Sequence, residues 1–156
     1  MQIIDFLVSV NGNAQLWGGD GQFLGVVSSN IYDVNSILNQ YGFYGGQYGV
    51  FSISNPYGLY GGQWGVYSPY NPYCTYPPVI VYGNNPVIIV TRNPYAQTNG
   101  LPIIDPDLLL GVYTQLTQSP TNVNLVQAHL QTLTQASKSN AEAINRAMQI
   151  SASMFR

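Results

Sequence analysis

The sequence predicts an α+β fold: a small antiparallel β-sheet with an inserted Tyr/Gly/Asn-rich repeat, followed by two C-terminal helices, the last one long. Three observations predict it. A sixteen-residue period runs through the middle of the chain, short β-branched runs bounded by turn formers flank it, and the apolar spacing changes to helical steps after residue 104. These divide the chain into a β-rich part at 1–104, with the repeats at 36–82, and a helical segment at 105–156.

The repeat is read from register. Ser36, Ser52 and Ser68 lie sixteen apart, and Asn39, Asn55 and Asn71 keep the same spacing, as do Tyr41, Tyr57 and Tyr73 and then Tyr44, Tyr60 and Tyr76. The third copy degrades, with Pro77-Pro78 standing where Gly45-Gly46 and Gly61-Gly62 stood, and Cys74 standing where Gly42 and Gly58 stood. Asn-Pro and Gly-Gly are turn formers, so each unit has no room for a helix and at most a short extended piece such as 63–67. The expectation is a set of tight loops stacked ring against ring, with Ile37, Ile53, Val50 and Val66 pointing inward. Three short units cannot bury a continuous core alone, so they lean on a sheet as an insert. So many rings suggest a sugar-binding platform, for which Trp17, Trp64, Tyr48 and Tyr60 are the candidates. The simpler reading is that tyrosines are the packing of loops that have nothing else to bury. The strict register argues against a disordered, self-associating tract.

Composition narrows the function. At 156 residues the chain is one ordinary domain, and 46% hydrophobic residues argue for a packed protein. Only 6% of residues are charged, against about a quarter in an average protein. Not one Asp, Glu, Lys or Arg falls between Val34 and Thr91. A net charge of −2, with Arg92 the first basic residue, excludes a nucleic-acid surface and disfavours anionic membranes. A surface so poor in charge tends to associate. The apolar run at 3–7 lacks a basic flank and a small-residue cleavage site, so no signal peptide is expected. No stretch has the length of a membrane span.

Taken in order, residues 3–10 form an apolar run that reads as a first strand, ending at the turn signal Asn11-Gly12-Asn13. Residues 14–17 and 22–28 follow as two more strands around Gly18-Gly19-Asp20-Gly21, which completes a small meander. Beyond the repeat, 79–82 and 87–91 are β-branched strands about the turn 83–86, and 93–104 is a loop rich in Asn, Pro and Gly. The order Asp20-Gly21-Gln22-Phe23-Leu24-Gly25, then Ser29-Asn30-x-Tyr32-Asp33-x-Asn35-Ser36-Ile37, then tandem Asn-Pro-Tyr-Gly-x-Tyr-Gly units and Pro77-Pro78-Val79-Ile80, resembles an uncharacterised bacterial family. That family shows a DGxYLGxLSSNxYDxxSIxNxYGxYGSxYS core followed by a PPxI strand. The resemblance covers about residues 15–110. The chain departs from it in having Gly-Gly for Gly-Ser and a long C-terminal tail. The resemblance implies the fold boundary and an envelope-type setting, and it carries over no functional residue.

Asp105-Pro106 is an N-cap and first-turn pair that opens a helix through Leu108, Leu109, Val112, Tyr113 and Leu116. Ser119-Pro120 repeats the signature and starts a longer helix at 120–155. Along it Val126, Leu130, Leu133, Ile144 and Ala147 make a heptad-like stripe, with Ser137 and Asn140 on the same seam. Such a stripe serves either docking on the β-rich part or association with a second copy.

Residues able to carry chemistry are few. One His, one Cys, one Glu and five Asp do not assemble into a metal-ligand or acid–base pattern, and no cofactor is implied. His129 reads as a helix-surface histidine, Cys74 as a small space-filler, and Asp20 as turn chemistry. Asp105 and Asp107 read as capping residues. An enzyme is not expected. The first expectation is a structural, assembly or protein-interaction module; a carbohydrate-binding domain is the alternative.

Overall fold

The computed structural model describes residues 2–118. They form an α+β fold in the order α1 (Ile3–Ser9), β1 (Ala14–Trp17), β2 (Phe23–Val27), the repeat, β3 (Val79–Tyr82), β4 (Asn85–Val90), β5 (Ile103–Ile104) and α2 (Pro106–Gln118). The second helix expected at 120–155 lies outside the described residues.

The first strand of the expected meander is a helix instead. Ile3, Ile4, Leu7 and Val10 are buried while Gln2 and Ser9 are exposed. That stripe has helical spacing, and Asp5 lies in the first turn, where the helix dipole favours a carboxylate. The strand count stays at five because Ile103–Ile104, read from sequence as loop, adds a short strand parallel to β4. The sheet is therefore mixed, in the order β2-β1-β3-β4-β5, with every other pairing antiparallel. β2 and β3 lie on either side of β1, so the repeat leaves from one side of β1 and returns on the other.

α1 and α2 cover the sheet. Leu16, Leu24, Ile80 and Ile88 meet Ile3, Leu7, Leu109, Val112 and Leu116 in one core. Tyr113 is fully buried, and its hydroxyl donates to the Leu7 carbonyl at 2.6 Å, which ties the two helices together. Asp105 caps α2 by accepting the Asp107 N–H at 2.8 Å. Burying a Leu or Ile is worth roughly 1.5–3 kcal/mol each, so these layers outweigh the weak propensity of the short elements.

The repeat contains neither helix nor ladder. Its backbone is satisfied at corners that both donate and accept: Asn39 N–H to Ser36 O, Gly42 to Asn39, Gly46 to Gly42, Gly49 to Gly46, and Ser52 to Gly49. Four turns spanning three residues and one spanning four close one coil, and this is the physical origin of the period of sixteen. The second coil repeats the set from Ser52 to Ser68. The first coil also seals the open edge of β2. Ile37 N–H donates to Val26 O at 3.1 Å and Val26 N–H to Asn35 O at 2.7 Å, a parallel bridge that leaves that part of the edge unavailable for other pairing.

The coil has no interior for side chains. A Cβ on Gly61 would stand 2.4 Å from Asn55 O, 2.7 Å from Ile53 O and 2.8 Å from Ser52 O, all of them backbone; Gly45 meets the same obstruction at Asn39 and Ile37. Every larger side chain must therefore leave the coil outward. Ile37 and Ile53 leave toward the core and are fully buried, as expected. Val50 and Val66 were expected inside, yet they are 61% and 58% exposed, because the space assigned to them is occupied by backbone.

Gly61→Ala is accordingly expected to cost about 3 kcal/mol or more in chemical denaturation, the upper range for overpacking. For Gly58→Ala the three nearest atoms all belong to the Asn55 side chain, the first at 3.1 Å, and the expected cost is less than about 1.5 kcal/mol. The chain itself places a Cβ at the matching position of the third copy, in Cys74. Equal losses for the two variants would contradict the dry-coil geometry.

Candidate functional site

The repeat's outer surface is the candidate site, and asparagines build it. In each coil the Asn side chain bonds twice. Its Oδ1 accepts the N–H of the tyrosine two residues on (Tyr41, Tyr57, Tyr73), at 3.0, 3.0 and 2.9 Å. Its Nδ2 donates to a carbonyl six residues back (Asp33, Gly49, Gly65), at 3.1, 2.9 and 2.9 Å. The serines add a second local bond, their Oγ accepting the N–H of Leu38, Ser54 and Tyr70. Two further Asn-x-Tyr turns flank the repeat, with Tyr32 N–H on Asn30 Oδ1 and Tyr95 N–H on Asn93 Oδ1. All five tyrosines so placed are exposed. The spacing Asn-x-Tyr, present five times, was the signal that could have found the outer pair.

The rings fall into two populations. Trp17, Phe23, Tyr44, Phe51, Tyr60 and Tyr67 form one continuous ladder, with successive centroids 5.2, 5.0, 6.1, 6.2 and 6.1 Å apart. Tyr44–Phe51 and Tyr60–Tyr67 are stacked, and each coil adds two rungs. The second population stands in solvent. Tyr32, Tyr48 and Trp64 are sixteen apart and strongly exposed, as are Val34, Val50 and Val66, with Phe43 and Leu59 in a row beside them. Backbone bonds from Phe51 N–H to Phe43 O and from Tyr67 N–H to Leu59 O hold the valine-bearing segments against those rows.

The four candidate platform residues are not brought together. Trp64 and Tyr48, 74% and 78% exposed, occupy equivalent positions in successive coils. Trp17 is only partly exposed: it heads the ladder against Phe23, and its Nε1 donates to Gln15 Oε1 at 2.9 Å. Tyr60 is 6% exposed and cannot offer a face to a ligand. Its hydroxyl donates to Asp20 Oδ2 at 2.7 Å while Asp20 Oδ1 accepts Gln22 N–H, so Asp20 joins the turn to the repeat as well as shaping the turn. The association stripe Val126, Leu130, Leu133, Ile144 and Ala147 and His129 lie outside the described residues.

One charged cluster closes the third coil. Arg92 bonds Asp105 through Nε at 3.1 Å and Asp107 through its second guanidinium nitrogen, and its guanidinium carbon sits 4.8 Å from the centre of the Tyr70 ring. Tyr70 donates its hydroxyl to Asp107 at 3.0 Å. Burial works against the Arg92 charge, but the two carboxylates outweigh it and hold the guanidinium more firmly protonated than usual. Burial, and then the Asp107 carboxylate, push the Tyr70 phenol well above its ordinary value. Cys74 is buried with its thiol directed to Val66 O at 3.3 Å, and burial raises its pKa, which opposes a nucleophilic role. Among the described residues no three His, Cys, Asp or Glu side chains gather as a metal site. No described helix is long and apolar enough to cross a membrane.

Burial foremost, and the bond to Asp20 next, push the Tyr60 phenol from its ordinary 10.0 up to about 12. The neutral phenol is the donor, so its stabilising contribution is whole below pH 10 and is lost as the pH rises toward 12. Stability across that window, followed by denaturant melts, is expected to fall more steeply in the parent chain than in Tyr60→Phe. Identical slopes would contradict the assignment. In comparison with known proteins, no family model, no curated protein and no solved structure matches this chain.

Proposed function

We propose that this protein is a non-enzymatic structural module that assembles with further copies of itself through the uncharged outer face of its repeat. The observation that carries the reading is the recurrence, every sixteen residues, of solvent-exposed apolar side chains: Val34, Val50 and Val66 beside Phe43 and Leu59. Exposed apolar residues scattered singly need no explanation, but contiguous rows mark an interaction surface. Aliphatic rows offer no hydrogen bonds to a hydroxylated ligand, and an apolar protein surface covers them best. The stretch contains no charge that would have to be desolvated on association. A surface with a fixed step is matched by another surface with the same step, and a second copy supplies one.

The alternative association element is the stripe Val126, Leu130, Leu133, Ile144 and Ala147, which the sequence offers outside the described residues. A matrix or envelope setting suits a module of this kind, where copies are concentrated and permanent association is useful.

Sedimentation velocity over a wide concentration range tests the proposal. The parent chain is expected to associate, and Val50→Lys with Val66→Lys is expected to leave a folded monomer over the same range. Both valines are exposed, so the double variant should keep its melting temperature. A parent chain that stays monomeric throughout would overturn the reading. Association that survives the double variant but is lost on removal of 119–156 would transfer the interface from the repeat to the tail.

A further inference from the structure

We propose that the groove that runs along the coils and reaches α2 at one end binds a neutral, extended oligosaccharide, independently of the assembly face. α2 runs alongside the coils. Its first turn meets the third coil through Tyr70 and Asp107, and near its last turn Thr117 Oγ1 donates to Ser29 O at 2.9 Å, where the repeat begins. Two hollows of about 600 and 620 Å³ lie along the coils and share Gln47 and Ser54, which makes them one groove; the first is bounded by coil residues with Arg92, and the second reaches α2. Leu110 and Thr114 form its wall on the helix side.

The lining carries polar side chains that the fold does not use. Nearly every polar side chain in the coil corners is engaged: the amides of Asn39, Asn55 and Asn71 each make two bonds, and the hydroxyls of Ser36, Ser52 and Ser68 accept one each. The side-chain amides of Gln47 and Gln63 and the hydroxyl of Ser54 bond to no described residue. These groups both donate and accept, which is the complement of a hydroxyl. Gln47 and Gln63 are equivalent positions in successive coils, so the same polar group recurs along the groove.

Charge and shape select among ligands. Arg92 is the one charged side chain of the lining, and Asp105 and Asp107 together more than offset it, so an anionic polymer would find no free counter-charge there. No carboxylate lines either hollow, so a cationic polymer would find no direct partner in the lining. Pro56 and Pro72, also equivalent positions, and the rings of Tyr41 and Tyr48 supply flat apolar surface in the same lining as the amides. Flat apolar patches together with amide groups fit the C–H faces and hydroxyls of a neutral sugar chain. A groove with a repeated subsite suits a ligand that is itself a repeat.

Isothermal titration calorimetry on the full chain decides it, with neutral glucan, xylan and chitin fragments from disaccharide to hexasaccharide as probes. One series is expected to bind with affinity rising with length. Gln47→Ala with Gln63→Ala, two exposed side chains whose loss leaves the fold intact, is expected to weaken binding about tenfold or more, as two lost hydrogen bonds imply. Val50→Lys with Val66→Lys is expected to leave it unchanged, which separates this site from the assembly face. Three results would overturn the proposal: no binding by any hexasaccharide at millimolar concentration, equal binding by the glutamine double variant, or displacement of the bound sugar by a synthetic peptide of residues 119–156.

Discussion

Everything distinctive about this chain depends on how a stretch without helix or strand satisfies its backbone. Each coil solves the problem at five corners, and the corner residues are Ser, Asn and Gly for separate reasons. Serine and asparagine cap their own turns with side-chain oxygens. Asparagine also reaches back six residues and closes the coil. The glycine one residue before the Gly62 corner, Gly61, allows the two sides of the coil to touch. Removing the donor from one asparagine would leave a part-buried carbonyl without its protein partner, a cost of about 1 kcal/mol in a stretch with no ladder to take up the loss.

The dry interior determines where chemistry can lie. Side chains cannot point into the coil, so they are distributed among the core, the ring ladder, the groove and open solvent. The core takes Ile37 and Ile53, and the ladder takes Tyr44, Phe51, Tyr60 and Tyr67. What remains, Val50, Val66, Tyr48 and Trp64, must be exposed whatever its hydrophobicity. The exposed apolar rows are thus a geometric consequence of the coil, and the assembly reading assigns a use to a surface that the architecture makes unavoidable.

Much of this was legible in the sequence, and the gaps have physical causes. The period, the strands at 79–82 and 14–17 and the start of α2 at Pro106 are local signals carried by turn formers, β-branching and capping, and the structure has them there. α1 was misread because Ile3, Ile4, Val8 and Val10 have strand propensity, while the helical stripe that they form with Leu7 is short. The direction of Val50 and Val66 was misread because sequence periodicity locates equivalent positions but does not say whether a coil has an inside. Tyr60 was read as a platform ring because its partner, Asp20, lies 40 residues away in a turn that explains itself locally. The Arg92 cluster joins three separated segments, and no local pattern announces it.

The central claim is that rings at fixed positions of one repeat divide into a buried ladder and an exposed face that a second copy covers. Hydroxyl-radical footprinting read by mass spectrometry, at a low and a high protein concentration, tests it most directly. The account predicts that Phe43, Leu59 and Val66 are oxidised when dilute and protected when concentrated, and that Tyr60 and Tyr113 are protected at both. Equal oxidation of Phe43, Leu59 and Val66 at the two concentrations, or ready oxidation of Tyr60 when dilute, would contradict it.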